Sequence, residues 1–224
     1  MDGLRLAIVI PAFNEAATIA AVVRAAATHG SVIVVDDGSG DQTRQRAEEA
    51  GAQVVSHPQS RGYDGALDSG FREAAALDPQ YILTMDADGQ HRAAAIAQFV
   101  AAAAGGADVV AGVRDRRQRI AEHLFAAVTR LMFGIRDPLC GMKMYRVGVY
   151  RALGHFDSYR SIGTELLLYA VCSGSRIVQI PIVTPPREGS PRFGSGLRPN
   201  LRILMALLRF LRRAAFGFQV ASAR

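Results

Sequence analysis

The chain has 224 residues, 50 % of them apolar, and a formal net charge of +6. That length and apolar content fit one domain with a full core and exclude a disordered chain or a small disulfide-stapled scaffold. Two cysteines, Cys140 and Cys172, without paired spacing form neither a disulfide framework nor a zinc cluster, so both are expected to be thiols in a reducing compartment. The first residues lack the basic and long apolar regions of a signal peptide, which makes the cytoplasm the expected location. The positive charge suits a phosphorylated substrate, anionic lipid or nucleic acid, and only its placement separates these.

Residues 4–10 form a near-continuous apolar run, the pattern of a strand buried on both faces of a parallel sheet. Pro11-Ala12-Phe13-Asn14-Glu15 turns the chain into an alanine-rich helix over 16–27, stopping near Gly30. A second buried strand, 31–35, runs straight into Asp36-Asp37-Gly38-Ser39-Gly40-Asp41, and Asp41 caps a helix through Gly51. A short strand over 53–55, a loop over 57–62 and a helix over 64–76 lead to a fourth strand, 81–84. This alternation specifies an α/β fold with a parallel sheet and right-handed crossovers. Ligands of such sheets bind beyond the carboxyl ends of the strands, so residues 11–15, Asp36-Asp37, Arg61-Gly62 and 86–91 are expected to line one crevice.

The fourth strand ends in Asp86-Ala87-Asp88-Gly89-Gln90-His91. An Asp-x-Asp pair serves a calcium loop, a divalent metal on a diphosphate, or acid/base catalysis. A calcium loop starting at Asp86 needs Gly at its sixth position and Glu at its twelfth, where His91 and Ala97 stand, which excludes it. Adjacent short carboxylates at a strand end favour Mg or Mn with room left for phosphate, beside the bland reading that Asp-Gly simply turns the chain. No Gly-x-Gly-x-x-Gly follows the first strand and no Gly-Lys-Ser/Thr loop occurs, so dehydrogenase and P-loop chemistry are disfavoured.

In the second half, strands are expected over 107–113, 137–145 and 176–183, with helices over 124–133 and from 163 onward. Four arginines crowd residues 114–119, either a solvated face or an anion-holding group. Glu165 sits among apolar residues at a helix start, and 188–196 is a Gly/Pro/Ser-rich loop suited to a lid. From Leu197 the composition turns to Leu and Arg, with Arg198, Arg202, Arg209, Arg212 and Arg213 roughly on one helical face. Its apolar runs are too short to span a bilayer, so this helix either lies on an anionic membrane surface or docks on the core. The arginines fit no recognisable nucleic-acid module. The expected division is a catalytic unit, 1–196, and a helical tail, 197–224.

Pro11-Ala12-Phe13-Asn14-Glu15, Val35-Asp36-Asp37-Gly38-Ser39 through Asp41-x-Thr43, Gly62-x-x-Gly65-Ala66, Asp86-Ala87-Asp88-x-Gln90-His91 and Asp137-Pro138-x-x-Gly141-x-Lys143 together resemble family-2, GT-A-fold inverting glycosyltransferases. The resemblance runs over about residues 4–190 and is nearest to the polyprenyl- or dolichyl-phosphate mannose or glucose synthases. It implies a mostly parallel sheet flanked by helices and a GDP- or UDP-sugar donor. It further implies that Pro11, Ala12, Phe13, Glu15, Asp36, Asp37, Arg61 and Gly62 hold the nucleotide, while Asp86, Asp88 and Gln90 hold Mn2+ or Mg2+ on the diphosphate.

The same resemblance puts Arg114 on the acceptor phosphate or departing diphosphate, and Arg187, Ser190 and Arg192 on a polyprenyl phosphate at the inner face of the plasma membrane. Two departures stand out: Arg92 replaces a common Pro, and Arg192 stands where the family tends to carry Lys. An anionic phosphate acceptor needs no strong base, whereas the second reading, the same donor chemistry with a soluble or polysaccharide acceptor, would need one for a sugar hydroxyl, with Asp137 or Glu165 as candidates. A non-catalytic binding protein with a decayed site is a third reading, opposed by the intact Asp86, Asp88 and Gln90.

Overall fold

The computed structural model describes residues 4–89, 93–117, 119–183 and 197–216. Seven strands form one sheet: β1 (Leu6–Ala12), β2 (Ser31–Asp36), β3 (Gln53–Ser56), β4 (Tyr81–Thr84), β5 (Val109–Arg114), β6 (Lys143–Arg146) and β7 (Ile177–Ile182). The helices are α1 (Ile19–Ala27), α2 (Thr43–Glu49), α3 (Gly62–Ala76), α4 (Ile96–Ala104), α5 (Ile120–Phe133), α6 (Val147–Leu153), α7 (Glu165–Cys172) and α8 (Leu197–Phe216). The sheet order is β3-β2-β1-β4-β6-β5-β7, and every pairing is parallel except the two made by β6.

Why β1 reads as unbroken apolar sequence follows from its two faces. Ile8 and Ile10 pack with Val32, Val34 and Leu83 under α1 and α4, while Ala7 and Val9 pack with Ile33, Val35 and Ile82 under α3, α6 and α7. Both faces are dry, so no alternation of polarity survives. Helix α3 approaches so closely that a Cβ on Gly70 would collide with Val9 Cγ1.

Pro11 lies inside β1 yet costs no ladder bond. Val9 accepts from Met85 N on the β4 side (3.1 Å), and Pro11, two residues on, faces the same side beyond the last β1–β4 pair, Val9↔Thr84. Pairing with β2 continues to Ala12↔Asp36. The two neighbours of β1 therefore part at its carboxyl end, the switch point where open α/β sheets bind ligands.

One expectation is corrected. The strand expected over 137–145 forms only as β6, antiparallel, because Pro138 offers no donor and Gly141 O is taken by Thr84 Oγ1 (2.6 Å). Its reversed direction brings residues 137–142 to the carboxyl edge of the other strands. Of the two seats expected for α8, the core is occupied: Ile203, Ala206, Leu207 and Phe210 join Ala121 and Phe125 of α5 and Leu168 of α7 in a third apolar cluster.

Phe210 is 3 % exposed and stacks edge-on against Phe125 and Phe133, with centroids at 5.4 and 5.7 Å. Phe210→Ala should therefore lower unfolding stability by about 3–4 kcal/mol in urea titrations, whereas a free tail would show almost no change.

Candidate active site at the carboxyl edge of the sheet

The two adjacent acids after β2 have separate jobs. Asp37 turns inward and accepts from His57 Nδ1 (2.7 Å), Ser60 Oγ (2.6 Å) and the backbone N–H groups of Arg61 and Gly62 (both 2.8 Å). With Nδ1–H donating, His57 Nε2 is left to accept from Ser69 Oγ (2.9 Å). Burial pushes the Asp37 pKa up, but these bonds more than offset it and hold the carboxyl below the ordinary aspartate range. Asp37 thus closes the start of α3. The Asp36 carboxylate, by contrast, accepts a single bond among the described residues, from Ser39 N (3.2 Å), beside the switch point.

The loop after β1 is clipped to the loop after β2. Asn14 N donates to Ser39 Oγ (2.9 Å), Gly40 N to Asn14 Oδ1 (2.9 Å), Glu15 N to Thr43 Oγ1 (2.8 Å) and Ala16 N to Asp41 Oδ2 (3.1 Å). Asn14 reaches this position in the left-handed region (φ 53), which Asn tolerates. Pro11 and Ala12 are buried, Glu15 is half-buried, and Phe13 stands at the rim, 44 % exposed. Residues 11–15 and Asp36 are thereby brought together; Arg61 and Gly62 meet them through their backbone bonds to Asp37.

Across the switch point, β4 runs out into Asp86-Ala87-Asp88, with Ala87 buried and both acids half-buried. Gly141 lies against Asp86, and a Cβ there would stand 2.5 Å from Asp86 Oδ2, so only glycine leaves that carboxylate its position. Two carboxylates one residue apart beside a bare backbone fit a hard divalent cation whose remaining oxygens come from a diphosphate and water. Gln90, expected as the third ligand, lies outside the described residues, as do Arg187, Ser190, Arg192 and the loop 188–196.

Arg114 and Asp137 were assigned separate roles by sequence, one on a phosphate and one on a proton, but the structure pairs them. Arg114 Nε and Nη2 donate to Asp137 Oδ2 and Oδ1 at 2.8 and 2.9 Å, and Nη2 also lies 3.4 Å from Glu122. Burial raises the Asp137 pKa, and Arg114 overrides it to hold the carboxylate below its ordinary range. Glu165, with no exposed surface, is likewise engaged: it accepts from Ser158 Oγ (2.9 Å) and His155 Nε2 (3.1 Å), and Arg213 of α8 lies 3.7 Å away. Neither acid is presented to the crevice as a proton acceptor.

The segment leading into α7 is braced from beneath. Asp64 accepts from Gly163 N (2.6 Å) and Ile162 N (3.3 Å), and burial together with nearby Asp157 pushes its pKa up to about 6. Ile162 sits at φ 57, strain that a β-branched residue adopts only when its surroundings dictate it. Lys143 Nζ donates to Gly163 O (3.1 Å) while buried at 4 % exposure; burial lowers its pKa against the pull of Asp137 and Asp86. Sequence reasoning gave Lys143, Asp64, Glu122 and His57 no role. For Lys143 a signal existed: it is the only lysine in the chain.

A mostly parallel sheet, acids at the ends of β2 and β4, and a reversed β6 closing the crevice define the class, a GT-A glycosyltransferase. Residues 7–154 match glycosyl transferase family 2, and the chain belongs to that family. An uncharacterized protein of Methanocaldococcus jannaschii is 30 % identical over 218 residues, covering 90 % of each chain. The undecaprenyl-phosphate mannosyltransferase of Micrococcus luteus is 26 % identical over 219 residues, covering 87 % of this chain and 89 % of its own. Glucosyl-3-phosphoglycerate synthase from Mycobacterium tuberculosis, in complex with Mn2+, UDP and glucosyl-3-phosphoglycerate, superposes with a TM-score of 0.76 at 22 % identity over 95 % of this chain and 81 % of that one, a likeness of fold.

The split between the paired acids is testable. Asp37→Ala should cost about 3 kcal/mol of unfolding stability by stranding His57 and the start of α3, whereas Asp36→Ala should cost under about 1 kcal/mol and weaken nucleotide binding in isothermal titration. Because the Asp37 pKa is lowered on folding, its ionised form contributes fully above the ordinary aspartate range and loses that contribution as pH falls through the native value. The stability gap between parent and Asp37→Asn should close in acid.

Proposed function

We propose that this glycosyltransferase moves a hexose, mannose or glucose, from a GDP- or UDP-linked donor to a polyprenyl phosphate with inversion. The observation that carries this reading is the meeting of Asp36, Asp86 and Asp88 around the β1–β4 switch point. Asp36 and residues 11–15 would hold base and ribose. Asp86, Asp88 and Gln90 would hold a divalent cation whose charge stabilises the departing diphosphate. The Mn2+ and UDP bound by the mycobacterial synthase and the acceptor named for the Micrococcus transferase support this assignment.

The engagement of Asp137 and Glu165 favours an acceptor that needs no base. A phosphate oxygen, already anionic at neutral pH, attacks without losing a proton. Arg187, Ser190 and Arg192 would hold that phosphate by charge-assisted bonds. A soluble phosphorylated acceptor is the second reading, favoured by the fold's likeness to a synthase whose complex holds phosphoglyceric acid.

The membrane enters through α8. With Ile203, Leu207 and Phe210 docked inward, Leu201 (56 % exposed) and Leu208 (62 %) remain outside among the exposed Arg202, Arg209 and Arg212. That face suits a shallow seat on an anionic bilayer. No described helix is long and apolar enough to cross a membrane.

Asp88→Ala should reduce sugar transfer by at least about a hundredfold and abolish Mn-dependent nucleotide binding in isothermal titration, with the unfolding midpoint unchanged. Turnover equal to the parent's would reject the metal-diphosphate assignment. Leu201→Ser combined with Leu208→Ser should release the protein from anionic liposomes in co-sedimentation while sparing transfer to a short, water-soluble polyprenyl phosphate. Unaltered sedimentation would transfer the preference to the soluble acceptor.

A further inference from the structure

A second basic site lies on the outer side of the Arg114–Asp137 pair. The connection from β5 to α5, the outer face of α5 and the turn after it enclose a cleft of about 550 Å³. Arg117, His123, Arg130 and Arg136 line it over apolar groups that include Val113 and Ala126. Neighbouring arginines are neutralised: Arg114 by Asp137 and Glu122, Arg119 by Glu122. The four cleft residues have no carboxylate within ion-pair distance among the described residues. Asp137 acts on Arg117 from beyond ion-pair distance, whereas the guanidinium groups of Arg130 and Arg136 gather beside it without such a partner among the described residues; like charges repel one another, a cost that a bound anion removes.

The cleft is also built rather than incidental. Arg117 Nη2 donates to Arg136 O (2.6 Å), which fixes the guanidinium, and its Nε–H is then buried with no acceptor among the described residues. The turn carrying Arg136 is held from both sides: Arg136 N donates to Gln179 Oε1 (2.7 Å), Gln179 Nε2 to Gly134 O (2.8 Å), and Thr129 Oγ1 to Ile135 O (3.0 Å). Three guanidinium groups around one volume match a tetrahedral oxyanion, which accepts several charge-assisted bonds at once. The apolar floor leaves room for the carbon skeleton that a phosphate ester carries.

The geometry points to this cleft as a binding site for a phosphomonoester, separate from the donor crevice at Asp86 and Asp88 and independent of the transfer reading. The ester is either a soluble metabolite or a lipid headgroup, and the test separates them. With EDTA present to silence the carboxylate crevice, glycerol 3-phosphate is titrated calorimetrically into the full chain and into Arg130→Ala/Arg136→Ala. Vesicles containing phosphatidic acid are compared with phosphatidylglycerol vesicles of equal charge by sedimentation. Both replaced side chains are exposed, so the fold should be retained, as checked by an unchanged thermal midpoint.

Saturable binding of the soluble ester that weakens at least about tenfold in the double variant, the loss of roughly one charge-assisted bond, establishes the site with a soluble ligand. Arginine-dependent binding of phosphatidic acid vesicles alone, in preference to phosphatidylglycerol, establishes it with a lipid headgroup. Failure of both probes to bind, or binding that is insensitive to the double substitution, overturns the proposal, as does equal binding of both lipids without binding of the soluble ester.

Discussion

A sheet covered by helices on both faces leaves its side chains one outlet for polarity, the ends of the strands. Every interior position of β1, β2 and β4 is committed to apolar packing, so acids can collect only where the ladder stops. The ladder stops unevenly. Strand β1 keeps its partner on the β2 side through Ala12 but has none on the β4 side after Val9, and Pro11 occupies the gap at no cost. That unevenness sets Asp36 on one side of an opening and Asp86 with Asp88 on the other. The reversed β6 then supplies the third wall, with Gly141 bare against Asp86.

Much of this was legible in the sequence, because fully buried strands and alanine-rich helices announce themselves by composition, and their alternation dictates parallel order. The ends of elements were less legible. A near-apolar stretch over 137–145 reads as strand throughout, yet Pro138 and the capture of Gly141 O by Thr84 keep all but its last residues out of the ladder. Nor can local pattern show that β6 is reversed, since direction depends on where the chain has already been. The last helix presented a similar limit: arginines and leucines interleave whether the apolar side meets lipid or protein, and α8 has apolar residues on both.

Within the site, residue type was visible and residue employment was not. Asp36 and Asp37 are chemically identical neighbours, both buried, but strand alternation leaves one beside the switch point with a single donor and sends the other into a pocket of four donors. Arg114 and Asp137 are far apart in the chain and separately suggestive; once β5 and the 137–142 segment are adjacent, each neutralises the other. Lys143 and Asp64 hold the strained backbone at Ile162 and Gly163 from two sides, a brace made wholly of long-range contacts. A single lysine among so many arginines is consistent with that position, where a compact ammonium fits and a planar guanidinium has less room.

The seat that α8 occupies has a consequence for synthesis. Phe125 and Phe133 of α5 and Leu168 of α7 leave the ribosome well before Phe210 and Leu207 arrive to cover them. At ordinary elongation rates of roughly 5–20 residues per second, the growing chain carries an open aromatic surface for several seconds while the sheet behind it is already able to form. During that interval the nascent protein is a client for chaperones and a hazard to its neighbours on a polysome.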